Sequence, residues 1–463
     1  MSSKTSQERG PEAPVGGQDA APGSTARESS RSVPARVWRG TVLLVLGRVW
    51  GSACTLVTWF LLSRHLAQDD FGRFTFYLSV FMLLDTLADF GTGQVAVQKT
   101  AHDEERVPEV LAAARRLRAL LGSLGVVLVG GGAFVLGERG AFWILLASLY
   151  PVTHVCELST LVFRNRIAWG IPVLVRAFAA ALSLSIVLVL RSSGDLEPSH
   201  YVLGIATGSA TANFVLHAVS KKHLPQRAPR SIDVRGLFLA ALPLGVASLC
   251  QQAYFYVDNL FVRPICGEAE LGRYNTGVRV MSYGIMVAIY ATQAALPWFA
   301  RAHQKHELHH AVTKLTPPLF AAASVVLGLA WPWAGSILGL FHPDFASAAP
   351  SLRWLLLATA TVYAGAGLMT ALVAAGERKS ILAIAVVALA LNLALNAWLV
   401  PTQGITGAGL ATFATELAVA LGASIALVRV GASPWSGARA WSWLAGPIAF
   451  AVAAFASSAL HEA

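Results

Sequence analysis

The sequence predicts an all-α polytopic membrane protein. It reads as two parallel six-helix repeats forming two lobes around a central cavity, with a weaker thirteenth helix after them. Three observations predict this. The 463 residues are 55% hydrophobic and only 13% charged, against about a quarter charged in a soluble domain. Apolar segments of about 20 residues, the length that crosses a bilayer, recur along almost the whole chain. A five-residue phrase also occurs twice, 200 positions apart. Asp70-Phe71-Gly72-Arg73-Phe74 returns as Glu270-Leu271-Gly272-Arg273-Tyr274, each time between two apolar segments. A short motif held in the same place in two hydrophobic hairpins is a sign of internal duplication.

The organisation follows in order. Residues 1–36 are polar and rich in Ser, Gly, Pro and Ala, and read as a disordered tail. Spans 1 to 6 are expected near 41–63, 74–98, 117–137, 141–163, 172–190 and 201–219, within a first lobe of 37–220. A basic, Pro-containing linker covers 221–236. Spans 7 to 12 are expected near 237–262, 275–299, 315–340, 352–375, 381–400 and 407–428, within a second lobe of 237–430. The extension 431–463 holds an Ala-rich thirteenth candidate at 441–460. With the tail inside, 26 of the 35 Lys and Arg residues fall in the tail and inner loops, Arg115 and Arg118 among them, against 8 in the outer loops. That bias places the tail in the cytoplasm. Six spans per half start both halves on one side, so the repeats are parallel.

The net charge of +10 is spread over short loops, which fits orientation rather than nucleic-acid binding. Four scattered cysteines form neither a disulfide framework nor a metal motif. No Walker loop or catalytic triad signature appears, so the chain reads as a non-enzyme without a cofactor.

Charges inside spans are costly and usually meet a partner or a water-filled cavity. Arg48 lies in span 1. Asp85 and Asp89 lie four apart on one face of span 2. Glu157, Asp258 and Glu416 lie in spans 4, 7 and 12. Topology puts Arg48 and Asp89 at similar depth, roughly 10–12 Å from the inner end, so they are expected to meet. They would either neutralise each other and hold the bundle, or form a charged patch that receives an anionic headgroup. Asp258 is expected near the outer end of span 7, close to Arg263 and Arg279. Substrate contact is assigned to Arg48, Asp85, Asp89, Asp258 and Arg279. Glu416, mid-span and without a basic residue in its helix, is the ion or proton candidate. His154, His217 and the amides Asn213, Asn392 and Asn396 read as packing and helix-bridging residues.

Gly47-Arg48-Val49-Trp50-Gly51, the first glycine motif and Ala88-Asp89-Phe90-Gly91 resemble the N-terminal pattern of the polysaccharide transporter family. Tyr256-Val257-Asp258-Asn259 and Gly404-Ile405-Thr406-Gly407-Ala408-Gly409 resemble its later stretches. That family belongs to the multidrug/oligosaccharidyl-lipid/polysaccharide superfamily. The resemblance implies a flippase for undecaprenyl-diphosphate-linked oligosaccharides in the bacterial inner membrane, working by alternating access. Its partners would be the lipid-linked oligosaccharide, membrane lipid, a polysaccharide polymerase and other assembly proteins. The alternatives are a cation-coupled multidrug exporter, which an acidic, aromatic cavity would favour, and a scaffold or enzyme of a polysaccharide-synthesis complex.

Overall fold

A computed structural model describes residues 24–100, 103–165, 170–224, 227–229, 231–435 and 440–462. Among these residues the regular structure is all helix, and twelve segments are long and apolar enough to cross a membrane. Span 1 belongs to the helix Ser24–His65, while residues 1–23 of the expected tail lie outside the described residues. Span 2 is Gln68–Asp89, continued by Thr92–Thr100. Span 3 is Val107–Val135, span 4 Ala141–Phe163, span 5 Gly170–Ser192 and span 6 Pro198–His223. Span 7 is Val234–Tyr256, continued by Asp258–Cys266. Span 8 is Glu268–Gln304, span 9 Leu308–Ala330 and span 10 Pro343–Ala374.

The next long segment, Arg378–Arg429, is two helices. Gly404 has φ 59° and ψ −140°, a conformation open to glycine and strained for other residues. The chain folds back there. Asn392 donates to Thr415 at 3.2 Å, and added Cβ atoms at Gly422 and Gly407 would meet Ile384 and Leu399. Partner numbers fall on one side as they rise on the other, which is the register of an antiparallel hairpin. Spans 11 (378–403) and 12 (405–429) are its arms. Span 13, Ala445–Glu462, lies on span 9. Gly446 faces Phe320, Gly328 faces Phe450 and Ala453, and Trp333 donates to Ser457. These pairs rise together, so spans 9 and 13 run parallel.

The repeat is visible in the packing. Span 1 packs on span 5, and span 7 on the span 11–12 hairpin. The lobes meet mainly through spans 2 and 8, with span 7 reaching across to spans 2 and 3. Loop contacts sort into two faces. Glu138 meets Arg263, and Arg64 meets Leu340 and Phe341, at one face. Arg227 meets Glu105, and Phe163 meets His223, at the other.

Thirteen membrane-length segments among the described residues, with Arg378–Arg429 counted as two, put Ser24 and Glu462 at opposite faces if each segment crosses. With the N-terminal end inside, single cysteines at Ser193 and Ala348 and a tag after residue 463 are expected to react with an impermeant reagent added to intact cells. A cysteine at Ser231 is expected to stay unlabelled. A reversed pattern would invert the orientation, and a C-terminal tag on the same side as Ser231 would remove the thirteenth crossing.

Candidate functional site: an inter-lobe cavity between two closures

The repeated motif is not loop. Both copies lie in the first turns of spans 2 and 8, where Asp70 and Glu270 sit at the positive end of the helix dipole. Their glycines bring the two lobes together. A Cβ at Gly72 would overlap the Glu268 carbonyl, and one at Gly272 would press on Phe71 and the Gly72 backbone. Around them Phe71, Phe74, Leu271 and Tyr274 are buried. Asn275 donates to Thr75 at 2.9 Å, and the Trp59 indole donates to Thr276 at 3.2 Å. Charged pairs surround this closure. Arg263 grips Glu138 through two bonds of 2.7 and 2.9 Å and also holds Glu268 at 2.8 Å, while Arg273 donates to Gln68 at 2.7 Å. Burial pushes the Glu138 carboxyl up, but the Arg263 guanidinium bonded to it outweighs this and holds it below the usual carboxylate value. The pair is therefore ionised at neutral pH.

A second closure lies toward the other end of span 2. The helix breaks after Asp89. Phe90 adopts φ 42° and Gly91 φ 70°, and a left-handed Phe is strained backbone. The Phe90 ring stacks on Phe238 of span 7 with centroids 5.7 Å apart and covers Gly245, where a Cβ would strike it.

Between the closures is a small cavity, about 20 Å³, with room for water and not for a sugar. Its walls come from spans 1, 2, 7 and 8 and include Trp59, Thr75, Tyr256, Asn275 and Arg279. Among the described residues no carboxylate lines it. Arg279 lies 4.3 Å from the Trp59 ring centroid and makes no ion pair among the described residues. A guanidinium over an indole keeps its charge and its fork of donors available.

The remaining expected site residues separate. Arg48 does not meet Asp89. It crosses to span 8, donating to the Tyr290 hydroxyl at 3.2 Å with the ring centroid 5.2 Å away. Asp89 instead accepts from Arg118 of span 3. Axial depth was readable from topology, but the rotation that turns Asp89 toward span 3 was not. Arg118 is thereby corrected too: it and Arg115 lie inside span 3, and Arg118 is only 2% exposed. Asp85 and Glu157 join the same cluster, with His154 between them and Arg176 on Glu157. His154 is thus a member of a charged network and not a packing residue. Ser159 links His217 at 2.6 Å and Arg115 at 2.8 Å beside it.

Asp258 pairs with neither Arg263 nor Arg279. It sits where span 7 breaks, 2% exposed, and takes neutral donors: Tyr274, Asn396 at 2.7 Å and Thr412 at 3.0 Å. Glu416 is buried in span 12 beside the Tyr254 hydroxyl. The second lobe therefore buries two carboxylates without a cation, whereas the first holds three half-buried ones against cations. Asn213, Asn392 and Asn396 do bridge helices, to Thr153, Thr415 and Asp258. The cue for Asp258 was present in Asn392 and Asn396, four apart on one helix face.

The sequence profile of the polysaccharide biosynthesis protein family matches residues 37–303, and the MatE profile matches 243–398. No curated protein gives a significant sequence match. Among solved structures the fold is similar to the lipid II flippase MurJ in an inward closed conformation, with a TM-score of 0.68, 11% identity, and coverage of 91% of this chain and 98% of that one. It is also similar to a point mutant of the Vibrio cholerae MATE transporter VcmN (TM-score 0.60, 14% identity, 87% of this chain and 98% of that one). A transporter of this superfamily from Pyrococcus furiosus, described by the reverse polarity of its binding pocket, matches with TM-score 0.60 and 14% identity over 92% of this chain and 96% of its own. The first profile spans more than half of the chain, so this multi-pass membrane protein belongs to the polysaccharide biosynthesis protein family and has the fold of the multidrug/oligosaccharidyl-lipid/polysaccharide superfamily.

Proposed function

We propose that the protein flips undecaprenyl-diphosphate-linked oligosaccharide across the bacterial inner membrane for O-antigen, capsule or exopolysaccharide assembly, with its N-terminal end in the cytoplasm. The observation that carries this reading is Arg279: a guanidinium with no carboxylate beside it, in a cavity between two six-helix lobes. Such a group attracts an anionic diphosphate through short, charge-assisted bonds. Trp59 and Tyr256 offer flat faces to sugar rings, and Thr75, Ser79 and Asn275 offer donors and acceptors. A cavity without acid does not suit an exporter of organic cations. Membership of the family and the likeness to MurJ support the same reading.

The two closures, at the glycine motifs and at Phe90, are the parts that alternate. Opening the inner one admits the headgroup, and opening the outer one releases it toward the polymerase and its assembly partners. Arg48, on the outer surface of span 1 against Tyr290, meets the headgroup at entry. Asp258 and Glu416, buried with neutral partners only, are cation-binding groups that energise the cycle.

Depletion of the protein in its own cells tests the reading. Surface polysaccharide is expected to fall while the lipid-linked oligosaccharide accumulates in the inner leaflet, sealed from a glycosidase added outside. Undiminished surface glycan with no accumulation would overturn it.

A further inference from the structure

The charged cluster of the first lobe lies outside the cavity and is one positive charge short. Asp85, Asp89 and Glu157 supply three acids, and Arg118 and Arg176 supply two bases. The sixth member decides the balance. His154 is 6% exposed. Its Nδ1 is 2.9 Å from Glu157 Oε2 and its Nε2 is 2.7 Å from Asp85 Oδ1. Both Nε2 and that Asp85 oxygen are buried, and among the described residues neither makes a hydrogen bond of good geometry, so their mutual approach is the polar contact each has. A neutral imidazole carries one N–H and one lone pair, so one carboxylate would face a bare nitrogen. Only the imidazolium, or a protonated carboxyl in its place, satisfies both sides. With the imidazolium the count balances: three acids against two arginines and one histidine.

The other charged or titratable neighbours do not supply that charge. Tyr150 stands 5.2 Å from the His154 ring. On the span 6 side His217 is held by Ser159, and Arg115 of span 3 turns to the same serine.

The cluster also touches a moving part. Asp89 is its link to the break in span 2. One carboxylate oxygen takes Arg118, and the other accepts the Gly91 N–H at 3.2 Å. Arg118 further holds Thr92 at 2.8 Å and the His154 carbonyl at 3.0 Å. These bonds fix the left-handed Phe90 that closes the inner end against span 7.

We propose that this cluster is an exchangeable proton site centred on His154, and that loss of its proton to water releases the Asp89-Phe90-Gly91 corner and opens the inner closure. The coupling half of this inference rests on the transport reading above; the proton site itself does not.

The test begins with ¹⁵N-histidine-labelled protein in liposomes at pH 7, with His154→Gln used to assign the signal. His154 is expected as an imidazolium in the wild type. In Asp85→Asn the arginines already balance the remaining acids, so it is expected as neutral imidazole. A neutral His154 in the wild type, or an imidazolium that survives Asp85→Asn, would overturn the site.

The same vesicles, loaded with a fluorescent polyprenyl-diphosphate oligosaccharide, read coupling. Stimulation by a pH gradient is expected to fall about tenfold, a typical coupling magnitude, in both His154→Gln and Asp85→Asn. Stimulation equal to wild type in both would overturn the coupling. Failure of every version, wild type included, to move the probe would instead remove the transport reading, while the histidine spectra would still decide the proton site.

Discussion

Gly72→Ala is expected to reduce transport by on the order of 100-fold while the protein still inserts. The added methyl meets the backbone carbonyl of Glu268 on the opposite lobe. A side-chain tip could swing aside, but that carbonyl is held in the first turn of span 8. The lobes must therefore part at the end that carries the motifs. Overpacking of this kind costs about 1–3 kcal/mol, and at the upper end that disfavours the closed state by roughly 100-fold. Gly272→Ala is expected to be milder, because its methyl meets the Phe71 ring edge at 3.1 Å and the Gly72 nitrogen at 3.2 Å, contacts that small shifts relieve. Oxidative cross-linking of a Thr75→Cys/Asn275→Cys pair reports the closure: efficient on the parent background and poor with Gly72→Ala. Equal cross-linking and transport in Gly72→Ala would show that the two motifs do not need to meet.

The glycine motifs were legible as a repeat but not as a contact. A pattern of acid, hydrophobe, Gly, Arg and aromatic between apolar segments marks a duplication, and does not say what its glycine approaches. Here the glycine serves helix approach between the two lobes, which is a tertiary fact. Span positions were legible because bilayer thickness fixes segment length. The span 11–12 hairpin was legible because Gly404 interrupts an apolar run. Charge pairing was less so. Residue number gives depth along a helix at about 1.5 Å per residue, and this put Arg48 and Asp89 together. It does not give rotation about the helix axis. Asp89 faces span 3 and Arg48 faces Tyr290 for that reason. Arg118 was hidden by its neighbours: Arg115, Arg116 and Arg118 resemble an inner loop, yet the helix already starts at Val107.

Arg279→Ala is the second large effect. Loss of a charge-assisted, two-pronged contact with a diphosphate removes about 1.5–3 kcal/mol, which lowers affinity for the lipid-linked oligosaccharide by roughly 10- to 150-fold. Arg279→Lys is expected to fall between, since Lys keeps the charge but loses the planar fork and its stacking on Trp59. Trp59→Phe keeps a flat face under the guanidinium and is expected to act more weakly than either. The order Ala, Lys, Phe separates loss of charge from loss of shape. A purely structural Arg279 would instead lower the amount of folded protein in the same order, with no change in affinity per folded molecule.

The most direct measurement is flipping in reconstituted vesicles. Wild-type protein is incorporated with a fluorescent polyprenyl-diphosphate-linked oligosaccharide, and exposure of the glycan to an added glycosidase is followed over time. Arg279→Ala and a polyprenyl-linked sugar lacking the diphosphate run in parallel. The account predicts rapid exposure with the wild type and the diphosphate probe, and little exposure in either comparison. Equal rates for Arg279→Ala and wild type, or for probes with and without the diphosphate, would contradict the claim that a cationic inter-lobe cavity recognises an anionic lipid-linked glycan.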